Sequence, residues 1–248
     1  MRSLTLALLL VALVAIPVLD QAQAKEKEWD DWKFDIGIYV PLTHVSGDVS
    51  TLTFRDIVDN WKGGINGTFG LKRERWSFNL DLGYVKLEKE QSMAVAAYAE
   101  DDYKITTALA ISEHEAFIGY QISDPDEGVS EIIFGTRYIG HSIDVADEET
   151  ANENWWMGFL GARYMGSLFG AETWMMIIRA DVGAFDTSGR ITWRGDLGAH
   201  WRFTDHFKLV LMYKWMGVDY KKGMPEDDDY YYYKATEHGP VVGLGISL

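Results

Sequence analysis

From Asp31 onward apolar and polar residues alternate with a period of two, the pattern of strands whose two faces meet different surroundings. In Trp32-Lys33-Phe34-Asp35-Ile36-Gly37-Ile38 the even positions are apolar and the odd ones polar or small. Trp76 to Tyr84 and Ile191 to Phe203 repeat the pattern. Such runs fall near 31–41, 60–71, 75–88, 103–121, 130–145, 154–168, 172–186, 189–203, 206–221 and 235–248. Tight connections at Lys72 to Glu74, Asp124 to Gly128, Phe169 to Ala171 and Thr204 to His206 alternate with connectors that are mostly long, acidic or turn-rich; Asp186 to Gly189 is a brief exception. Tight turns at one end and long loops at the other describe an up-and-down meander with both chain ends on the tight-turn side. Phe54 to Asp59, in the first long loop, suits one helical turn.

The first segment differs. Met1-Arg2, the apolar run Leu4 to Leu19 and the small-residue pattern Ala22-Gln23-Ala24 form the layout of a secretory signal peptide, 1–24, with cleavage expected after Ala24. The run is short for a retained membrane helix. Nothing after it offers eighteen consecutive apolar residues, so residues 25–248 read as one domain of strand and loop.

Alternation alone allows two opposite barrels: a soluble lipocalin-like barrel with its apolar face inside, or a membrane barrel with that face turned to lipid. Aromatic spacing favours the second. Trp76 and Tyr84, Trp156 and Tyr164, Trp193 and Trp201, and Phe207 and Trp215 are each eight positions apart on one face. At roughly 3.3 Å per residue and a 40° tilt, that is about 20 Å along the axis, close to the separation of two interfacial aromatic girdles. The polar face carries Lys33, Asp35, Asn66, Asp81, Glu113 and Glu115, then Arg137, Arg163, Arg179, Asp181, Arg194, Asp196, His200, Arg202 and Lys214. Arginine prevails there among the cations, interleaved with Asp and Gly, as suits interior ion pairs made by a planar five-donor fork. Arg137, Arg163, Arg179, Asp181, Arg194, Asp196 and Arg202 are therefore the candidates for ion pairs within the lumen. Arg179 and Asp181 on one strand and Arg194 and Asp196 on the next all point the same way, so a cross-strand ladder is geometrically easy. The last run alternates to Leu248, as expected of a strand that closes a barrel by pairing with the first. The expected fold is thus all-β, a closed antiparallel up-and-down transmembrane barrel of about ten strands, or eight or twelve if a run is miscounted.

The 248 residues contain 38 acidic and 23 basic side chains and no cysteine. Disulfides, thiolate metal sites and cysteine nucleophiles are excluded. The formal charge of −15 argues against nucleic acid as a partner.

Several stretches together resemble a known set: Phe54-Arg55-Asp56-Ile57-Val58-Asp59-Asn60, Arg73-Glu74-Arg75-Trp76, Asp81-Leu82-Gly83-Tyr84, Gly135-Thr136-Arg137-Tyr138, Gly161-Ala162-Arg163-Tyr164, Asp181-Val182-Gly183-Ala184-Phe185 and Gly239-Pro240-Val241-Val242-Gly243-Leu244. They resemble a family of uncharacterised Gram-negative outer-membrane β-barrel proteins, over most of the mature chain. The resemblance implies a single barrel in the outer membrane and carries over no reaction, ligand or catalytic residue.

Ten strands make a narrow lumen, since about eight are just filled by side chains. It is expected to be largely filled by ion-paired groups, which points to a structural, envelope-interaction or very restricted small-solute transport role. No cofactor or metal is expected. The expected partners are outer-membrane lipid, lipopolysaccharide and the barrel-insertion machinery, which reads an apolar last strand typically ending in Phe rather than Leu. The acidic loops Glu100-Asp101-Asp102, Asp147-Glu148-Glu149 and Pro225 to Asp229 suit divalent cations in composition, though no EF-hand spacing is present. Two other functions compete. One is a lipid or peptide hydrolase at the rim, for which His141, Ser142 and Asp144 are the best residues; adjacent strand residues face opposite sides, so His141 and Ser142 do not readily bond. The other is a secreted soluble binding barrel. The reading is therefore non-enzymatic.

Overall fold

Residues that alternate between two environments form long strands, and long antiparallel strands leave unpaired edges unless the sheet closes. The computed structural model, which describes residues 32–47, 51–52, 60–93, 103–123, 128–145, 148–184, 191–223 and 231–248, is all-β. Its strands are β1 (Lys33–Pro41), β2 (His44–Gly47), β3 (Thr51–Leu52), β4 (Trp61–Arg73), β5 (Trp76–Met93), β6 (Tyr103–Gln121), β7 (Val129–Val145), β8 (Glu148–Leu168), β9 (Ala171–Ala184), β10 (Ile191–Arg202), β11 (Phe207–Lys222) and β12 (Tyr231–Ser247).

The long strands pair with their sequence neighbours and β12 returns to β1, closing a ring of ten. Strands β2 and β3 are an addition that the alternation did not signal, because they are too short to show a period. After a break at Leu42 and Thr43, β2 continues along β12 and pairs with β3. The close approach there leaves no room for a side chain at Gly239, whose Cβ would stand 2.5 Å from the Leu42 carbonyl oxygen. The expected signal peptide and the helical turn at Phe54 to Asp59 lie outside the described residues.

The register fixes the barrel's dimensions. Stepping from Asp35 across successive partners leads through Gly70, Asn79, Phe117, Gly135, Phe159, Gly183, Thr192 and Val218 to Ala235. Asp35 itself pairs with Ser247, so the closure is staggered by the twelve positions between Ala235 and Ser247. That stagger in a ten-stranded ring corresponds to a tilt of about 40° and a backbone radius of about 10 Å.

The tight-turn end carries Glu74-Arg75, Phe169-Gly170, the bend at 203–206 and both Lys33 and Leu248; it is called the inner end below. At Phe169 and Gly170 the chain takes left-handed φ values of 57° and 72°, the two-residue turn that matches the twist of a hairpin. Large apolar side chains cover the outside of the cylinder: Ile178, Val182, Leu160, Leu82, Phe134 and Leu197 are all exposed, while Arg137 is fully buried within. This is the reverse of a soluble protein. The only energetically coherent surrounding for such an exterior is hydrocarbon, where every backbone group is satisfied by the closed ring.

Aromatic side chains border the apolar band at both ends. Near the inner end Trp76 packs on Tyr120 at 4.8 Å and Trp174 on Trp201 at 5.8 Å, with Phe207 against Phe203. Toward the loop end Trp156 packs on Tyr138 at 5.1 Å and Trp215 on Tyr213 at 4.3 Å. Tyr84 and Trp193 are exposed at the same end. Tyr164 is half-buried near the inner end, its ring lying over Gly166. His114 also faces outward; its ring stacks on Tyr138 with an interplanar angle of 7°.

Candidate functional site in the barrel lumen

Inward positions on neighbouring strands converge because the pleat directs every second residue to the axis. Arg179 and Asp181 of β9 stand opposite Asp196 and Arg194 of β10 in register. The ion pairs, however, run along each strand: Arg179 Nη2 to Asp181 Oδ2 at 2.7 Å, and Arg194 Nε to Asp196 Oδ2 at 2.9 Å. The junction between strands is Glu115 of β6, reaching across the lumen. Its carboxylate forms ion pairs with Arg179 Nη1 at 2.9 Å and Arg194 Nη1 at 2.8 Å, and accepts a hydrogen bond from Arg137 Nε. Arg137 closes the circuit to Asp181 Oδ1 at 3.0 Å and donates to Thr192 Oγ1 at 3.4 Å. Three carboxylates meet three guanidiniums, so the cluster is formally neutral. The expected ladder is thus replaced by a cross-lumen hub, because a carboxylate from the far wall fits the planar guanidinium forks of two adjacent strands at once.

Apolar rings support this hub. Phe117 and Phe159 pack edge to face, with Ile133 against them. The Arg137 guanidinium lies 5.0 Å from the Phe159 centroid, and that of Arg179 lies 4.7 Å from Phe117. These cation–π contacts hold the arginines flat and exclude water from one side. Gly135 makes room for them: a Cβ there would stand 2.3 Å from the Ala116 carbonyl oxygen and 2.5 Å from Phe117 Cβ. Gly135→Val is expected to cost about 1–3 kcal/mol through overpacking, read as a lower urea midpoint in detergent.

The other cationic candidates lie elsewhere. Arg163 belongs to a separate group nearer the inner end, donating to Glu131 Oε2 at 2.6 Å, Asn79 Oδ1 at 3.1 Å and Ser77 Oγ at 3.3 Å. Arg202 is exposed at the inner mouth, beyond the central cluster. Lys214 pairs with Glu113 at 2.5 Å and Glu237 at 3.7 Å. Glu113, Glu115 and Lys214 were legible only as inward polar positions; which charges they meet depends on the stagger of the closed ring.

Toward the loop end the lumen is apolar. Ile139, Trp155, Met157, Met216, Val218 and Tyr220 form a buried cluster, with Trp155 and Tyr220 stacked at 4.3 Å and Tyr233 against them. His141 joins this plug, 5.3 Å from Trp155 and 4.5 Å from Tyr233. Ser142, on the opposite face, donates to Asp144 at 3.4 Å. Base and hydroxyl therefore diverge, and the pair lacks the hydrogen-bond reach that nucleophilic activation needs. The acidic stretches at 100–102 and 225–229, together with Asp147, lie outside the described residues.

Ion pairs do not fill the whole lumen. They and the phenylalanines occupy the side formed by β6 to β10. The wall at β12, β1 and β4 carries Gly243, Gly245, Gly37 and Gly70, and beside it runs a cavity of about 840 Å³. It is bordered by Lys33 and Leu248 at the inner mouth and reaches Val45, Leu87 and Glu237 toward the loop end. Glycine supplies no side chain to fill the space that the arginines leave.

No family model matches the chain, and no curated protein matches its sequence. Solved structures of similar shape include the translocator domain of autotransporter NalP from Neisseria meningitidis, 13% identical over 99% of this chain and 97% of that one, with a TM-score of 0.46. The outer membrane protease OmpT from Escherichia coli is 12% identical over 91% of this chain and 99% of its own, with a TM-score of 0.44. Ail, the attachment invasion locus protein of Yersinia pestis, is 10% identical over 88% and 97%, with a TM-score of 0.38. The closed antiparallel ring and its inverted distribution of apolar and charged side chains give this chain an outer-membrane β-barrel fold.

Proposed function

We propose that the protein is a resident outer-membrane barrel with a structural or envelope-interaction role, admitting at most very restricted passage of small solutes. The observation that carries this reading is the Glu115 hub: a buried, ion-paired cluster of three arginines and three carboxylates beside the cavity, with an apolar plug beyond it. A general diffusion pore keeps such charges apart on its walls around water; here they pair with one another across the part of the lumen between β6 and β10. The apolar exterior would contact lipid, and the aromatic borders would lie at its two interfaces. In this reading the inner end faces the periplasm and the long loops face outward, where lipopolysaccharide is the nearest partner.

Two measurements test it. Extraction from membranes should require detergent, and the folded protein should migrate faster on an unheated gel than after boiling. In planar bilayers the purified protein should show no steady open level in salt solution. A buffer-soluble periplasmic monomer would overturn the membrane reading, and sustained large conductance would overturn the closed lumen.

A further inference from the structure

The cavity beside the glycine wall is not a neutral void. Just inside the inner mouth its far side is formed by Met165, Met175, Ile177, Val210 and Met212, with the imidazole of His200 in register between Met175 and Val210. The five apolar side chains are only partly buried, although they point into the barrel. Apolar side chains left uncovered within a cylinder whose exterior is already apolar offer a dry wall to a hydrocarbon chain. Gly37 and Gly70 across from them keep the slot open.

At the mouth itself the charge has the opposite character from the chain as a whole. Lys33 and Lys72 stand directly opposite each other in the β1–β4 register, both inward. Like charges in that position repel, so the pair is unfavourable unless an anion lies between or near them. Lys72 donates to the neutral Gln121 Oε1 at 2.9 Å, and Lys33 has no ion pair among the described residues. Two of the carboxylates nearby are already engaged. Asp35 accepts from Lys208 and Ser247, both at 2.5 Å, and Glu131 accepts from Arg163. Arg202 and the turn residue Asp205 also border the mouth.

We propose that this cavity binds a single-chain amphiphile with an anionic headgroup, a carboxylate or phosphate, entering by the inner mouth. The headgroup would sit at Lys33 and Lys72 and the chain along Ile177, Val210 and Met212, ending below the Glu115 hub. The slot is the inner part of a cavity whose whole volume, about 840 Å³ as far as Glu237, lies within the range of small-molecule sites. The proposal needs only the barrel and its inner mouth, not the absence of conductance, so the two readings fail separately.

The test uses the folded full-length mature protein in lipid nanodiscs, with empty nanodiscs subtracted, and a dansyl-labelled undecanoate as probe. Saturable binding is expected, displaced by dodecanoate and by dodecyl phosphate. Acetate and inorganic phosphate, which carry only the headgroup, and dodecyltrimethylammonium, which carries only the chain with the wrong charge, should not displace it. Lys33→Gln with Lys72→Gln should weaken binding roughly tenfold, the loss of one to two charge-assisted hydrogen bonds. Both sites are at the open mouth, so the folded gel form should persist in this variant. Val210→Trp, which fills the slot, should abolish binding. Absence of saturable binding, equal displacement by the cationic chain, or unchanged affinity in the double lysine variant would overturn the proposal.

Discussion

Glu115→Leu should destabilise the barrel by about 3–5 kcal/mol, the loss typical of removing one partner from a buried ionic cluster. The substitution leaves Arg137, Arg179 and Arg194 sharing Asp181 and Asp196 in a space closed by Phe117 and Phe159. Three guanidiniums then share two paired carboxylates, and the nearest remaining one is Asp81, the register partner of Glu115 on β5. Glu115→Gln should cost less, because an amide oxygen still accepts one guanidinium hydrogen bond. Removing a guanidinium together with the carboxylate, as in Glu115→Leu with Arg194→Leu, should recover part of the loss, since charge balance returns. Urea titrations of the detergent-folded protein, followed by tryptophan fluorescence or by the fast-migrating gel form, measure all three. If Glu115→Leu stays within about 0.5 kcal/mol of the native protein, the range of an ordinary surface change, the hub has no such role. Additive single and double effects would likewise deny the coupling that contact between the side chains requires.

The fold was legible to an unusual degree because lipid outside and charge inside impose opposite demands on successive residues. Trp193, Leu197 and Trp201 alternate with Arg194, Asp196 and Arg202, and that run alone distinguishes the two faces. The count of ten long strands followed from the same regularity. Alternation is blind, however, to what lies behind a face. On β6 to β8 the residues Phe117, Ile133, Phe159 and Met157 point inward, yet their apolar character matches that of the lipid-facing positions beside them. The plug and the ring supports of the arginines were therefore hidden. Cross-lumen partnership was hidden for another reason. Glu115 is far in sequence from Arg179 and Arg194, and only the stagger of closure brings them to one height. The cavity is the third case, since glycines that make a slot look the same in sequence as glycines that relieve a crowded pleat. His114, a polar ring turned to the lipid face, breaks the pattern outright and is accommodated by stacking on Tyr138.

Leu197→Arg should cost about 2–4 kcal/mol when the protein is folded in a bilayer, the penalty for a guanidinium at the middle of the lipid face. Leu197 is 48% exposed and sits four residues from Trp193 on one side and from Trp201 on the other. In a water-soluble barrel the same change would replace an exposed leucine by a charged residue and move stability by no more than about 0.5 kcal/mol. The sign and size of this one effect therefore separate the two surroundings without reference to any partner. Depth supplies the control. Phe203, exposed beyond Trp201 at the inner end, should accept arginine at a cost of only about 0–1 kcal/mol, because its side chain reaches the headgroup region. Unfolding both variants from vesicles of fixed chain length gives the comparison. A difference of about 2 kcal/mol or more between the positions reports a hydrocarbon gradient around the cylinder. Equal small costs would mean that water bathes Leu197, and then the buried arginines of the lumen would need another account.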